Sequence, residues 1–323
     1  MVLDFNNGAI KMANVNGTPG DDILTSTADD DTLVGGLGTD HYVFSGDFGK
    51  DLIFDLDFLS NDVIEIHGVT AADIRLATNE DSTLEIHVDG AGADGLIEVA
   101  YPLPYMPVSH ILLDDGTTID LTGALTLTGT AENEIMLGTR FDDVISTKGG
   151  IDIIYAGQGN DIVRGGGGDD FLQGDTPSDA VSLHGDDKLY GGAGNDTAFG
   201  YGGSDLIIGG KGDDYLDGGF GRDKIKGGSG DDTLIGGHGN DVLTGGSGSD
   251  NFVFNNNSGR DVIRDFTSGE DTLDFKTVGS LAETSFSQIH GGQDLLIDLN
   301  GIEVVLKNTA LSDIDPALDF LFL

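Results

Sequence analysis

The sequence has 323 residues, more than one average core, so length alone allows two domains. Its 57 Asp and Glu against 15 Lys and Arg leave a formal net charge of -42, which repels nucleic acid and anionic lipid and keeps a bare chain extended. Cysteine is absent, which excludes disulfides and thiolate metal sites, and no apolar run approaches the ~20 residues of a membrane-spanning helix.

In chain order, residues 1–16 form an N-terminal segment without the apolar stretch of a Sec signal peptide. From Gly17 to Val43 the chain reads GTPGDDILT, STADDDTLV, GGLGTDHYV, three units of nine. The passage from Gly35 to Val69 then parallels one from Gly245 to Val278, which predicts two modules, each a repeat block followed by an antiparallel cap. Alternation predicts strands at Val63–His67 and Leu84–Val88. Glu65-Ile66-His67 and Glu85-Ile86-His87 would form a transition-metal site if those strands were neighbours. The alternative leaves Ile64 and Ile66 inward and the polar residues merely solvated. The Tyr/Pro-rich stretch 101–107 reads as a structural loop or a sugar-stacking one.

The main block starts near residue 126. Five nonapeptides run from Gly129 to Gln173 and seven from Gly191 to Val253. The sixth position is nearly always Asp, and the eighth is nearly always bulky and apolar, as in Leu216, Ile225, Leu234, Leu243 and Phe252, with Ala198 the small exception. A flexible acidic linker would not hold two residue types in phase. Glycines at the first, second and fourth positions allow positive φ and turn carbonyls toward a common point, where the sixth-position Asp adds a carboxylate. Positions seven to nine form a short strand with the eighth side chain inward, and a lone repeat cannot bury it, so repeats must stack. Hard oxygen ligands without nitrogen or sulfur select Ca²⁺. The phase breaks at Gly174–Tyr190: either eight residues are inserted before Asp187, or a degenerate repeat ending at Ser182 precedes a shortened one. Past the repeats, Leu295–Leu299 and Ile302–Leu306 alternate as strands.

These nonapeptides resemble the haemolysin-type RTX family, whose motif is GGxGxDxUx. The resemblance implies an all-β fold, a right-handed parallel β-roll with two repeats per turn, in which an ion sits between a repeat and the one two units on. Carried over, Asp143 pairs with Asp161, Asp152 with Asp170, Asp196 with Asp214, Asp205 with Asp223, Asp214 with Asp232, Asp223 with Asp241, and Asp232 with Asp250; Asp187 waits on the phase break. Carbonyls near Gly192, Gly194, Gly210, Gly212, Gly219, Gly221, Gly228, Gly230, Gly237 and Gly239 complete the implied Ca²⁺ set. Asp22 and Asp40 are a weaker pair, with a weak site or none beyond them, and Glu134 departs from the motif. Residues 17–125 join a short RTX block to a haemolysin-related extension, 126–253 are the main roll, and 254–323 resemble the cap of serralysin-type secreted proteases, with no protease attached. The last residues, 319–323, resemble an uncleaved type I secretion signal.

The resemblance implies a secreted protein, exported unfolded by type I machinery and folded by extracellular calcium. No HExxH, GxSxG or EF-hand loop occurs, so no catalytic residue is expected. The leading expectation is a non-enzymatic scaffold, adhesin or polysaccharide-binding module of the cell surface or matrix. The alternative is the secretion and stabilising part of an extracellular polysaccharide-modifying or hydrolytic enzyme. A membrane-active protein would need apolar or amphipathic helices, and the sequence shows none.

Overall fold

The computed structural model describes residues 13–54, 62–78, 83–89, 93–102, 108–114, 116–121, 123–175, 184–255, 259–275, 284–299 and 301–321. The chain divides into two compact units, Met1–Thr128 with Ile135–Arg140, and Gly129–Glu134 with Phe141–Leu323. Most of the loop at 101–107, the stretch 176–183 and the last two residues of the secretion-signal resemblance lie outside the described residues.

In the second unit successive repeats alternate between two parallel sheets. One runs through Val144–Ser146, Ile162–Gly167, Lys188–Ala193, Leu206–Lys211, Lys224–Ser229, Val242–Ser247 and Arg260–Ile263. The other runs through Ile153–Gly157, Phe171–Asp175, Thr197–Phe199, Tyr215–Asp217, Thr233–Ile235, Asn251–Phe254 and Thr272–Phe275. Partners lie two repeats apart, as in Leu206↔Lys224 and Tyr215↔Thr233. The parallel roll implied by the motif is thus the observed fold. Its interior is the single file of eighth-position side chains, among them Leu189, Ile207, Ile225 and Leu243 facing Leu172, Ala198, Leu216 and Leu234, all buried.

The phase break resolves as an insertion. Ile162 pairs with Lys188 and Phe171 with Thr197, a spacing of eighteen plus eight. A β-carbon on Gly174 would collide with Asp187 Oδ2, the contact that Gly191 makes with Asp196 and Gly200 with Asp205. Gly174 and Asp175 therefore open the repeat that continues at His184-Gly185-Asp186-Asp187. The alternative of a degenerate repeat ending at Ser182 does not hold.

The passages after each block are not antiparallel from the start. Arg260–Ile263 and Thr272–Phe275 are two more parallel coils, and only Thr284–Ile289, Asp294–Leu299 and Ile302–Leu306 form an antiparallel meander. The first unit has the same order. Its long strand His41–Phe54 pairs in parallel with Ile23–Thr25, Asp31–Val34, Asp62–His67 and Ala93–Pro102. Antiparallel pairing begins with Ile74–Thr78, Thr83–Asp89 and Ala93–Pro102. Asp62–His67 and Thr83–Asp89 are not neighbours, so the Glu/His pairs do not meet. Glu65 instead holds His41 (2.7 Å) and Glu85 holds His87 (2.9 Å), while Ile64 and Ile66 are buried.

Candidate metal centre

The sixth-position carboxylates form two ladders, one on each side of the roll. Asp161 Oδ1 accepts from the backbone N–H of Asp143, Asp187 from Asp161, Asp205 from Asp187, Asp223 from Asp205, and Asp241 from Asp223, at 2.7 to 2.9 Å. On the other side Asp152 accepts from Glu134, Asp170 from Asp152, Asp196 from Asp170, Asp214 from Asp196, Asp232 from Asp214, and Asp250 from Asp232, at 2.8 to 3.0 Å. The eighteen-residue pairs are brought together, and the insertion gives Asp187 the partners Asp161 and Asp205.

Each ladder bond uses one oxygen. The other, Oδ2, is buried without a hydrogen-bond partner in Asp152, Asp161, Asp170, Asp187, Asp196, Asp205, Asp214, Asp223, Asp232 and Asp241. These residues are at most 2 % exposed. A bare anionic oxygen there carries a desolvation penalty that the ladder bonds to the other oxygen offset only in part. Burial accordingly pushes the carboxyls up, Asp187 to about 9, Asp161 and Asp205 to about 8, and Asp196, Asp223 and Asp232 to about 7. The ladder N–H donors pull the other way, and neighbouring carboxylates push up again.

Backbone oxygens converge on the same point. A β-carbon on Gly200 would collide with Asp205 Oδ2 and sit 2.7 Å from the Gly218 carbonyl oxygen; on Gly218 it would meet Asp223 Oδ2 and the Gly236 carbonyl at 2.8 Å. Those carbonyls belong to first-position glycines. The second- and fourth-position glycines, Gly192, Gly194, Gly210, Gly212, Gly219, Gly221, Gly228, Gly230, Gly237 and Gly239, all have positive φ and stack on carbonyls one coil back, eighteen residues away as Gly210 does on Gly192, or twenty-six across the insertion as Gly192 does on Gly166. A cradle of hard oxygens with unsatisfied negative charge fits a calcium ion. The model of the RTX calcium-binding nonapeptide repeat matches in four copies, over residues 14–42, 137–172, 185–216 and 217–252. The chain carries RTX calcium-binding nonapeptide repeats over those residues.

Several solved structures are similar to it. The extracellular lipase LipA of Serratia marcescens is 19% identical, with 98% of this chain and 40% of the lipase covered, at a TM-score of 0.27. This chain thus spans less than half of that enzyme. The AlgE6R3 subunit of the Azotobacter vinelandii mannuronan C5-epimerase is 26% identical over 42% of this chain and 78% of its own, at 0.30, and the AlgE6R2 subunit is 24% identical over 43% and 88%, at 0.26. No curated protein matches.

The RTX ladders reach beyond the motif. Asp261 Oδ1 accepts from Asp241 and Asp271 Oδ1 from Asp250, both at 3.0 Å, with spacings of 20 and 21 residues. In the first unit Asp40 accepts from Asp22, Asp62 from Asp40, and Asp51 from Asp31. Asp51 and Asp261 keep a buried, unpartnered Oδ2 like those of the main roll. Sequence reading missed them because their coils lack the paired glycines, although Gly49 and Gly259, two residues before each Asp, keep the positive φ that the fourth position needs.

Some carboxylates are satisfied by the chain itself. Asp22 Oδ2 accepts from the Thr18 N–H (2.5 Å) and hydroxyl (2.9 Å), and Asp31 Oδ2 from those of Thr27 (2.7 and 2.9 Å). Glu134 Oε1 accepts from the Thr130 N–H at 2.6 Å, although its Oε2 stays buried without a hydrogen-bond partner, and Asp271 Oδ2 accepts from the Thr267 N–H at 2.7 Å. In each case the threonine lies four residues before the carboxylate and occupies the place of a second-position glycine. A second, exposed ladder uses the fifth position: Asp169 Oδ1 accepts from Asn195, Asn195 from Asp213, Asp213 from Asp231, and Asp231 from Ser249, at 2.7 to 2.9 Å. It accounts for the recurrence of Asn, Asp and Ser at that position.

Proposed function

We propose that the protein is exported unfolded and folds outside the cell on calcium, serving there as a non-enzymatic scaffold, adhesin or polysaccharide-binding module. One observation carries this reading: the roll buries a file of aspartates whose second oxygen has no hydrogen-bond partner among the described residues. Calcium held between Asp196 and Asp214, Asp205 and Asp223, and the equivalent pairs would neutralise them, with first-position carbonyls completing the set. Among the described residues no three Asp, Glu or His side chains converge, so two carboxylates and backbone carbonyls are the donors on offer. Because such a cradle exists only in the folded chain, binding free energy is folding free energy. Extracellular calcium modules bind at ~10⁻⁴–10⁻³ M, far above cytosolic levels, which would keep the chain unfolded before export.

The test is far-UV circular dichroism and hydrodynamic radius across a calcium titration, with chelator and magnesium as controls. A cooperative gain of β signal with compaction, in calcium alone, is expected. A chain equally compact in excess chelator would sink the reading. Clear turnover of an extracellular polysaccharide or ester by the calcium-loaded protein would replace the non-enzymatic part with the enzyme-module alternative.

A further inference from the structure

Basic residues are scarce in this chain, and the roll places them unevenly. On the sheet from Val144–Ser146 to Arg260–Ile263 the seventh- and ninth-position side chains point outward. Across seven strands, two positions each, five are Lys or Arg and none is Asp or Glu, counting Arg264 directly after the last strand. The five are Arg164, Lys188, Lys224, Lys226 and Arg264, all exposed. The outward positions of the opposite sheet, from Ile153 to Val253, carry no basic residue and instead hold rings such as Tyr155, Phe171, Phe199 and Tyr215.

Despite 57 carboxylates in the chain, none of the five cations forms an ion pair among the described residues. Arg164 instead stands over the Tyr190 ring, 5.5 Å from its centre. The register aligns Lys188 with Leu206 and Leu206 with Lys224, and Tyr190 with Ile208 and Ile208 with Lys226. Lys188 and Lys224 therefore lie two strands apart in one column, roughly 9.5 Å, with Leu206 between them, and Lys226 and Arg264 are spaced likewise in the next column with Thr244 between them.

We propose that this sheet face docks a linear acidic polysaccharide, running across the strands along the roll. This rests on the calcium-folded reading above, since the face exists only in the folded roll. Carboxylates of the glycan meet the cationic rows, and its sugar rings lie on Tyr190, Leu206 and Ile208 between them. One thin chain stays within the carboxylate-free columns. An anionic bilayer or a nucleic-acid duplex is broader and meets the acidic remainder of the surface as well.

The full-length chain in calcium is titrated with oligogalacturonates too short to gel, with dextran, anionic vesicles and duplex DNA in parallel arms. Circular dichroism on the same samples reports folding. Binding of the oligogalacturonate that weakens with added salt is expected. K224E/K226E should lower affinity at least tenfold and Lys188→Gln with Lys224→Gln several-fold, at an unchanged calcium midpoint of folding. Lys50→Gln, on a residue that pairs with Glu98 in the other unit, should change nothing. Undiminished binding by K224E/K226E, or by the Gln variant should the Glu variant not fold, overturns the proposal. So does equal retention of dextran, vesicles or DNA. Absent glycan binding with intact calcium folding refutes this inference alone, whereas absent folding refutes the reading beneath it.

Discussion

Asp205 and Asp22 hold the same place in their repeats, yet their second oxygens end differently. That of Asp205 is buried without a partner, and that of Asp22 accepts two bonds from Thr18. Asp205→Asn keeps the ladder acceptor but removes the charge, so the calcium midpoint of folding should rise several-fold in a circular dichroism titration. Asp22→Asn loses a chain-internal bond worth about 1 kcal/mol and should leave that midpoint nearly unmoved. Equal shifts in the two variants would mean that the threonine does not stand in for an ion. Protonation tests the same oxygens. A free Asp titrates near ~3.9, while burial holds Asp205 at about 8 and Asp196 at about 7 in the folded, metal-free chain. Between those limits the folded form binds more protons than the unfolded one, so metal-free stability falls as pH rises and the loss is complete above the folded values. A chelated sample should therefore gain β signal on acidification from pH ~8 to ~4, and the calcium midpoint should climb over the same window as protons compete. A chelated chain equally unstructured at both pH values would contradict the burial of these groups.

The nonapeptide coils were legible in the sequence because each needs glycine and aspartate at set positions, and seven consecutive units in phase make the period plain. The coils at 49–54 and 259–263 were not, because spacings of 20 residues break the period while keeping what the ladder needs: one positive-φ glycine and an Asp two residues on. The Thr18, Thr27, Thr130 and Thr267 caps were also hidden, since a single threonine replacing a glycine looks like decay of the motif. At Gly174–Tyr190 the sequence left two phases open, and the pairing Asp161–Asp187 decides for an insertion. Deleting 176–183 would join Asp175 to His184 and restore a nine-residue repeat. An insertion of this length carries a closure cost of about a few kcal/mol or less, so the deletion should fold at the same calcium midpoint with an equal or slightly higher melting temperature. Loss of folding would mean that the excised residues support the coil.

At the scale of the molecule, the RTX roll is quasi-one-dimensional: each coil contacts only its neighbours, and each contributes one inward side chain per repeat. Such a file holds little apolar area against the charge it gathers, and its end presents an open edge. The C-terminal segment meets both problems. It adds the Asp261 and Asp271 coils, and it closes the roll with an aromatic cluster, Phe254 stacked on Phe275 at 5.2 Å, Phe275 on Phe320 at 6.0 Å and Phe286 edge-on to Phe320 at 5.7 Å. A chain ended at Val253 keeps every nonapeptide but loses this cluster and the last two rungs. If the cap supplies the nucleus from which calcium-bound coils propagate, the shortened chain should need at least tenfold more calcium to fold, with a shallower titration. A separately added cap peptide should restore part of the signal. Folding of the shortened chain at the original calcium concentration would show instead that ion binding alone starts the roll, and that the aromatic cluster only seals an edge already formed.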